Sequence, residues 1–387
     1  MGSCGRWNAG WSIGPTAANA EGVKQTMTEL FQPTRRQVAL AGGAFAAALA
    51  AGLPRANAAG MRPLRFGIGL KSMSAVVINT VIGEALGYNR AEGFTLVPRA
   101  LGTNANVQVA IDRGDVDIGI GVPAFELPLL AKGEWGKDAN FYEYTYPYKW
   151  DVAVLPGSPI KSYADLKGKR IGISGFGGTE YPVTKDVLKN IGIDPTKDVK
   201  WIAVGEGVAA GVALKQHAID ALAYFDVGFG QIEAAGIKLD FVPRPKDIPL
   251  IGGQFLTAKR DFLAHDRALA VGFGRSVAKA SQFILANPAA GAAVFIKMFP
   301  QTAPRGSTTE QAVTAVLTSI GRRIRLYRPP YAGAKMGSIN PLEFVNEAKM
   351  DGLHIADVAP LYTNDLIDAI NDFDQKAIAA EAKAYRA

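Results

Sequence analysis

The segment Ser162–Thr179, SYADLKGKRIGISGFGGT, decides how the chain is read. Its first half carries turn chemistry, with Gly168 supplying a turn, and Arg170–Ser174 is a short apolar run with strand character. Gly175, Gly177 and Gly178 break that run before Glu180–Asn190, whose apolar spacing predicts a helix. Downstream the pattern repeats as strand Val199–Val204, helix Val208–His217 and strand Ile219–Tyr224. Such alternation predicts a parallel sheet with crossover helices.

Moving outward toward the N-terminus, an equivalent unit precedes it. Leu64–Ile68 and Phe94–Arg99 are strands, with a helix at Ala75–Leu86 stopped by Gly87. A helix at Asn106–Arg113 and a strand at Val116–Ile120 follow, and Gly121-Val122-Pro123 opens another helix with proline in its first turn. Phe141–Tyr148 and Asp151–Leu155 are strands leading out of this unit. Gln231–Ala235 and Leu239–Val242 complete the second unit. Pro243, Pro245 and Pro249 then punctuate the chain, and Gly252–Ala258 returns as a strand toward the first. The remainder reads as helices at Asp261–Ala286, Ala289–Phe299, Thr309–Arg323, Pro341–Lys349 and Leu361–Ala384. The expected division is 59–150 and 249–387 for one lobe and 151–248 for the other. Ligands of open α/β sheets bind beyond the carboxyl ends of the strands, so both lobes would aim those ends at one cleft.

Residues 1–58 differ in kind. Thr34-Arg35-Arg36-Gln37-Val38-Ala39-Leu40 leads into an Ala/Gly-rich run, Val38–Leu53, that ends in Ala56-Asn57-Ala58. Charged region, short apolar region and small-x-small site make an export signal, and the paired arginines resemble the twin-arginine type. The run is shorter than the ~20 residues that span a bilayer. Met27 is the expected start, with residues 1–26 an upstream extension. The single cysteine, Cys4, falls in that extension, so the mature chain from Ala59 has no thiol for a disulfide, a lipid or nucleophilic catalysis. The chain has 42 Lys+Arg and 35 Asp+Glu; five and two of these lie in residues 1–58, leaving +4. That charge is mild and dispersed, which argues against nucleic acid.

The segment xxDLKGKxIGxx is common to the binding proteins of nitrate, taurine, alkanesulfonate and thiamin-precursor importers, and Ser162–Ser174 resembles it. Ala110–Gly119 (AIDRGDVDIG) is similar to the first-lobe segment of that family, and Leu214–Ala221 (LKQHAIDA) to the second-lobe one. The family often has glycine at the place of His217 or Ala218, a small departure here. The resemblance covers nearly the whole mature chain. It implies a type II, two-lobed periplasmic-binding-protein-like α/β fold with a helical C-terminal part. It also implies a small-molecule ligand, an ABC permease as partner in the inner membrane, a monomer and no cofactor. Two other readings stay open: an enzyme on the same scaffold, or a sensor docking on a membrane receptor.

Candidate contacts follow from the strand ends. Ser174, Gly177, Gly178 and Thr179 lie between a strand and a helix, where backbone N–H groups and two hydroxyls can meet an anion; a plain turn with a Thr cap is the alternative. No lysine completes a P-loop there, and the glycine spacing is not a dinucleotide fingerprint. Lys71, Ser72 and Ser74 hold the matching place in the first lobe, where the serines can equally cap a helix. Thr103, Asn104 and Val122 follow the next two strands. Tyr148, in the aromatic stretch Tyr146–Asp151, offers a flat apolar face with a polar handle, or packs between the lobes. Tyr224 and Asp226 end the last strand of the second lobe; Asp226 either meets a ligand amine or caps the next helix. His217, His265 and His354 are scattered and suggest no metal site. Arg322–Arg328 reads as a solvated basic face at a helix end. The Gly-rich helix start and Lys71 favour an anion such as a sulfonate or carboxylate. The aromatics favour an organic body over bare nitrate or bicarbonate, and Asp226 leaves room for a zwitterion.

Overall fold

Ten strands divide equally between two sheets in the computed structural model, which describes residues 60–147 and 149–386. They are β1 Arg62–Ile68, β2 Phe94–Ala100, β3 Ile118–Gly121, β4 Asp138–Thr145, β5 Trp150–Val154, β6 Arg170–Ile173, β7 Lys200–Ala203, β8 Ala221–Phe225, β9 Asp240–Phe241 and β10 Gln254–Lys259. One sheet has the order β2-β1-β3-β10-β4 and the other β7-β6-β8-β5-β9. The two orders are the same topology. In each, three parallel strands are joined by crossovers, and an antiparallel strand arriving from the other lobe sits between the third strand and the edge.

The chemistry at the strand starts repeats as well. Arg65 on β1 takes both carboxylate oxygens of Asp117, just before β3, while its own backbone N–H also reaches Asp117 at 2.8 Å. Arg170 on β6 does the same with Asp220, before β8, its backbone N–H at 2.7 Å. The Asp-before-strand segments are therefore clasps between neighbouring parallel strands. Bidentate guanidinium–carboxylate geometry fixes the register as well as adding attraction. His217, in the second of these segments, takes a φ of 55°, a left-handed conformation that glycine adopts more easily.

Two chain crossings join the lobes, one between β4 and β5 and one between β9 and β10. Buried carboxylates hold the second: Gly252 N–H donates to Glu347 at 3.1 Å and Gly253 N–H to Glu143 at 3.2 Å. Helix Arg267–Ala286 covers the first sheet, with Phe273 set edge-on against Phe66 and Phe94. Helix Thr309–Ile320 reaches across to second-lobe helix Asp226–Ala234, where Gly230 admits the Ser319 backbone: a Cβ there would lie 2.5 Å from the Ser319 carbonyl oxygen. Among the described residues no helix is long and apolar enough to cross a membrane.

Three expected helices differ in detail. Ala75–Leu86 begins as a 3-10 turn, Ala75–Val77, and continues as only one α turn, Ile78–Val81. The run Val76-Val77-Ile78 is β-branched throughout and stiff at χ1, which weakens helix at that point. Asp261–Ala286 breaks at Asp266, whose side chain pairs with Arg62. Leu361–Ala384 breaks too, because Asp374 caps a new helix, Gln375–Ala384, through the Lys376 and Ala377 N–H groups. The proposed export signal and start, with Cys4, lie outside the described residues, as does Tyr148.

Candidate ligand-binding site

The carboxyl ends of the parallel strands meet across one cavity of about 160 Å³. Lobe one contributes Lys71 after β1 and Thr103 and Asn104 after β2, with Gln254 at the start of β10. The first crossing contributes Lys149 and Trp150. Lobe two contributes the loop Ser174–Thr179 after β6, Glu206 after β7 and Phe225 at the end of β8.

The lobes touch over this cavity. The Asn104 Nδ2 donates to Thr179 Oγ1 at 2.7 Å, and Gln231 Nε2 donates to Ser74 Oγ at 3.0 Å. Gly177 lies so close to Thr103 that a Cβ there would come within 2.9 Å of its side chain. The Lys71 backbone N–H also reaches the Glu206 carboxylate. The arrangement is closed.

Two buried cations line the space. Arg323 clasps Asp226 through Nε, 2.6 Å from Oδ2, and through Nη2, and a third N–H reaches the Val76 carbonyl at 3.1 Å. Both partners are almost fully buried. Lys149 is 1% exposed, and its Nζ donates to Thr145 Oγ1 at 2.7 Å and lies 4.7 Å from the Trp150 ring centre. Among the described residues no carboxylate lies within ion-pair distance of it. Burial pushes its ammonium well below the ordinary lysine range, the Arg323 charge adds to that, and the more distant Asp226 and Glu143 work against it. Nearby, the Tyr144 hydroxyl donates to the Gln254 amide oxygen at 2.6 Å, which leaves the NH2 end of Gln254 for the cavity.

The second lobe supplies negative groups. Glu180 is buried at the first turn of helix Glu180–Asn190 and folds back onto the loop, where it accepts from the Ser174 backbone N–H at 2.8 Å and from the Ser174 hydroxyl. Burial raises its carboxyl above the usual range despite those bonds. Gly178 makes room for this: a Cβ there would lie 2.4 Å from Ser174 Oγ and 2.6 Å from a Glu180 carboxylate oxygen. Burial raises Glu206 too, against the Lys71 N–H.

A family model described as NMT1/THI5 like matches residues 75–291, more than half of the chain. The chain belongs to the NMT1/THI5-like family. Among solved structures, this NMT1/THI5-like chain is similar to the periplasmic aliphatic sulphonate binding protein of Escherichia coli, with 18% identity, a TM-score of 0.55, and 76% of this chain and 91% of that one covered. It is also similar to an alkanesulfonate-binding protein of Xanthomonas axonopodis bound to MOPS, at 16% identity, a TM-score of 0.54, and 80% and 97% coverage. For the periplasmic nitrate-binding protein of Synechocystis the values are 12%, 0.52, and 84% and 99%. The shared architecture is the two-lobed periplasmic-binding-protein fold. Among curated proteins none matches the sequence.

The sites expected from sequence divide into three groups in this NMT1/THI5-like fold. Lys71, Thr103, Asn104, Ser174, Gly177, Gly178 and Thr179 line the cavity, although Ser174 spends both its donors on Glu180 and Thr179 bonds Asn104 rather than capping its helix. Ser72 and Ser74 line an adjoining groove, and Ser74 also caps the Ala75 turn. Val122, Tyr224 and Asp226 do not line the cavity. Val122 is buried, and the Tyr224 hydroxyl holds the loop that carries Glu206, accepting from Gly207 N–H at 2.7 Å and donating to Gly205 O at 3.3 Å. Asp226 is consumed by Arg323 and by the Val227 N–H. The basic stretch Arg322–Arg328 is not a uniformly solvated face: Arg323 is buried, and Arg322 pairs with Glu233 and lies over the Phe241 ring. Sequence reasoning missed Lys149, Glu180, Gln254 and Arg323. Lys149 sat inside the aromatic stretch already singled out, and that was its only local signal.

Proposed function

We propose that this protein is a periplasmic solute-binding protein that closes its lobes on a small organic anion, sulfonate- or carboxylate-like, and presents it to an ABC permease. Export by the twin-arginine-type signal in residues 1–58 belongs to this reading, as does action as a monomer without catalysis. Family membership and the likeness to solute-binding folds support the role. One observation carries the ligand class: the buried, carboxylate-free ammonium of Lys149 in the wall of the interlobe cavity.

An ammonium removed from water loses several kcal/mol of solvation even after relaxation. A bound anion restores that loss and adds attraction in a low-dielectric site. The Gln254 amide and Asn104 supply directional donors or acceptors, while Trp150, Phe225 and Phe176 provide apolar walls. A cavity of this size matches a compact group, since an engineered void of about 150 Å³ accommodates benzene. Lobe closure then removes the ligand from water, and the closed form is the one a permease would distinguish.

The test is a melting-temperature screen of the purified protein, stripped of ligand by unfolding and refolding. The panel holds alkyl sulfonates, taurine, aliphatic and aromatic carboxylates, nitrate, bicarbonate and neutral pyrimidines. A ligand at 100 times its Kd stabilises by about 2.7 kcal/mol, which is a shift of a few degrees. Organic anions should raise the melting temperature and neutral compounds should not. A response confined to neutral compounds would refute the anion reading, and consumption of a panel compound would revive the enzyme reading.

A further inference from the structure

The cavity beside Lys149 does not end at its own walls. Leu70, Val76, Glu206 and Phe225 line it on one side and on the other line an open groove of about 570 Å³. This groove runs between Ser72–Val76 of the first lobe, helix Asp226–Ala234 of the second, and helix Thr309–Ile320. Its surface is mainly apolar, with Met73, Val208, Phe295, Pro304, Ala315 and Val316 prominent. Glu206 is the only charged residue among those lining it.

Size sets the argument. Pockets for organic ligands usually measure about 300–1,000 Å³. The inner cavity falls short of that range, and the two spaces together lie within it. Chemistry separates them: the inner space holds the Lys149 amine, which among the described residues has no carboxylate within ion-pair distance, while the outer groove adds mainly apolar surface with a few neutral polar side chains.

We infer that the outer groove is the second compartment of the ligand site, and that it takes the uncharged apolar body of an anion whose single charged head lies against Lys149. This rests on the anion reading above and narrows it to monoanions with a tail. Glu206 stands where the compartments join and disfavours a second negative charge on the tail.

The experiment measures Kd by titration calorimetry for unbranched alkyl sulfonates and carboxylates of increasing length, with the α,ω-dianion of each length beside it. The proteins are the wild type, Ala315→Trp and Ala234→Phe; both substituted alanines line the groove and neither is fully buried. In the wild type each added CH2 should tighten binding about fourfold, the increment for burying one methylene. Both variants should flatten that dependence while leaving the shortest anion's Kd unchanged, and dianions should bind at least tenfold more weakly than monoanions of equal length. Glu206→Gln should reduce that penalty. If the shortest anion binds the wild type but affinity does not rise with length, or rises equally in both variants, the second compartment is refuted and the anion site stands. If no anion of any length binds, both fall.

Discussion

Arg323 and Lys149 are both buried beside the same cleft, yet they belong to different kinds of region. Around Arg323 every charge is answered within the protein, by Asp226 from the second lobe and by the Val76 carbonyl from the first. Around the Lys149 amine lie one hydroxyl and one indole face, and among the described residues no carboxylate is within ion-pair distance. The first region is finished as folded; on the reading proposed above, the second is completed by the bound anion. A buried ion pair contributes little net stability compared with well-packed apolar residues, but breaking one is costly. On the proposed function, the difference is that between a structural cation and one that awaits its counter-charge.

The largest effect should come from the finished region. Arg323→Met leaves Asp226 buried without its partner and should lower stability by about 3–5 kcal/mol in urea denaturation. The double variant Arg323→Met/Asp226→Leu should recover most of that loss. Failure to recover would mean that Arg323 holds the lobes together by more than its charge.

The next effect concerns pH. The folded-state pKa of Lys149 is depressed, so between that value and the unfolded value near 10.4 the unfolded chain binds more protons, and stability rises with pH across that window. Saturation with an anion should flatten this rise, because the anion favours the charged ammonium. Buried carboxyls act in the opposite direction: burial raises Glu126 to about 8 and Glu343 to about 7, so their contribution is complete below the unfolded value near 4.3 and is lost as pH rises through these values. The Lys149 contribution is isolated as the difference between wild type and Lys149→Met. An equal pH slope in the two would show that Lys149 is not desolvated.

The smallest effect lies at the lobe contact. Asn104→Ala removes one interlobe hydrogen bond and should weaken ligand binding by about three- to tenfold, mostly through faster release, as stopped-flow dissociation would register. An unchanged dissociation rate would mean that this contact does not help hold the closed form.

The alternation of short apolar runs and helices made the sheets legible, because a crossover-connected parallel strand is specified by local pattern. The paired clasps Arg65–Asp117 and Arg170–Asp220 explain why the two Asp-containing segments look alike. The loops at strand ends were legible for the same reason, and they placed Lys71, Asn104 and Thr179 on the cavity wall. What the sequence concealed was long-range. Nothing near Arg323 announces that Asp226, 97 positions away, will bury it. Glu180 looks like an ordinary first-turn acid, and only Gly178, by lacking a Cβ, lets it fold back and occupy the donors expected for a ligand. Lys149 resembles any loop lysine until two sheets close around it.

The most direct test of the account is the paired measurement of stability and ligand affinity for Lys149→Met. Removing an unpaired buried charge should make the unliganded protein more stable by about 1–3 kcal/mol, while affinity for an organic anion that binds the wild type falls by about 100-fold or more. A variant that binds the anion as tightly as the wild type, or that gains no stability on losing the charge, would contradict the claim that Lys149 is the counter-charge of the ligand.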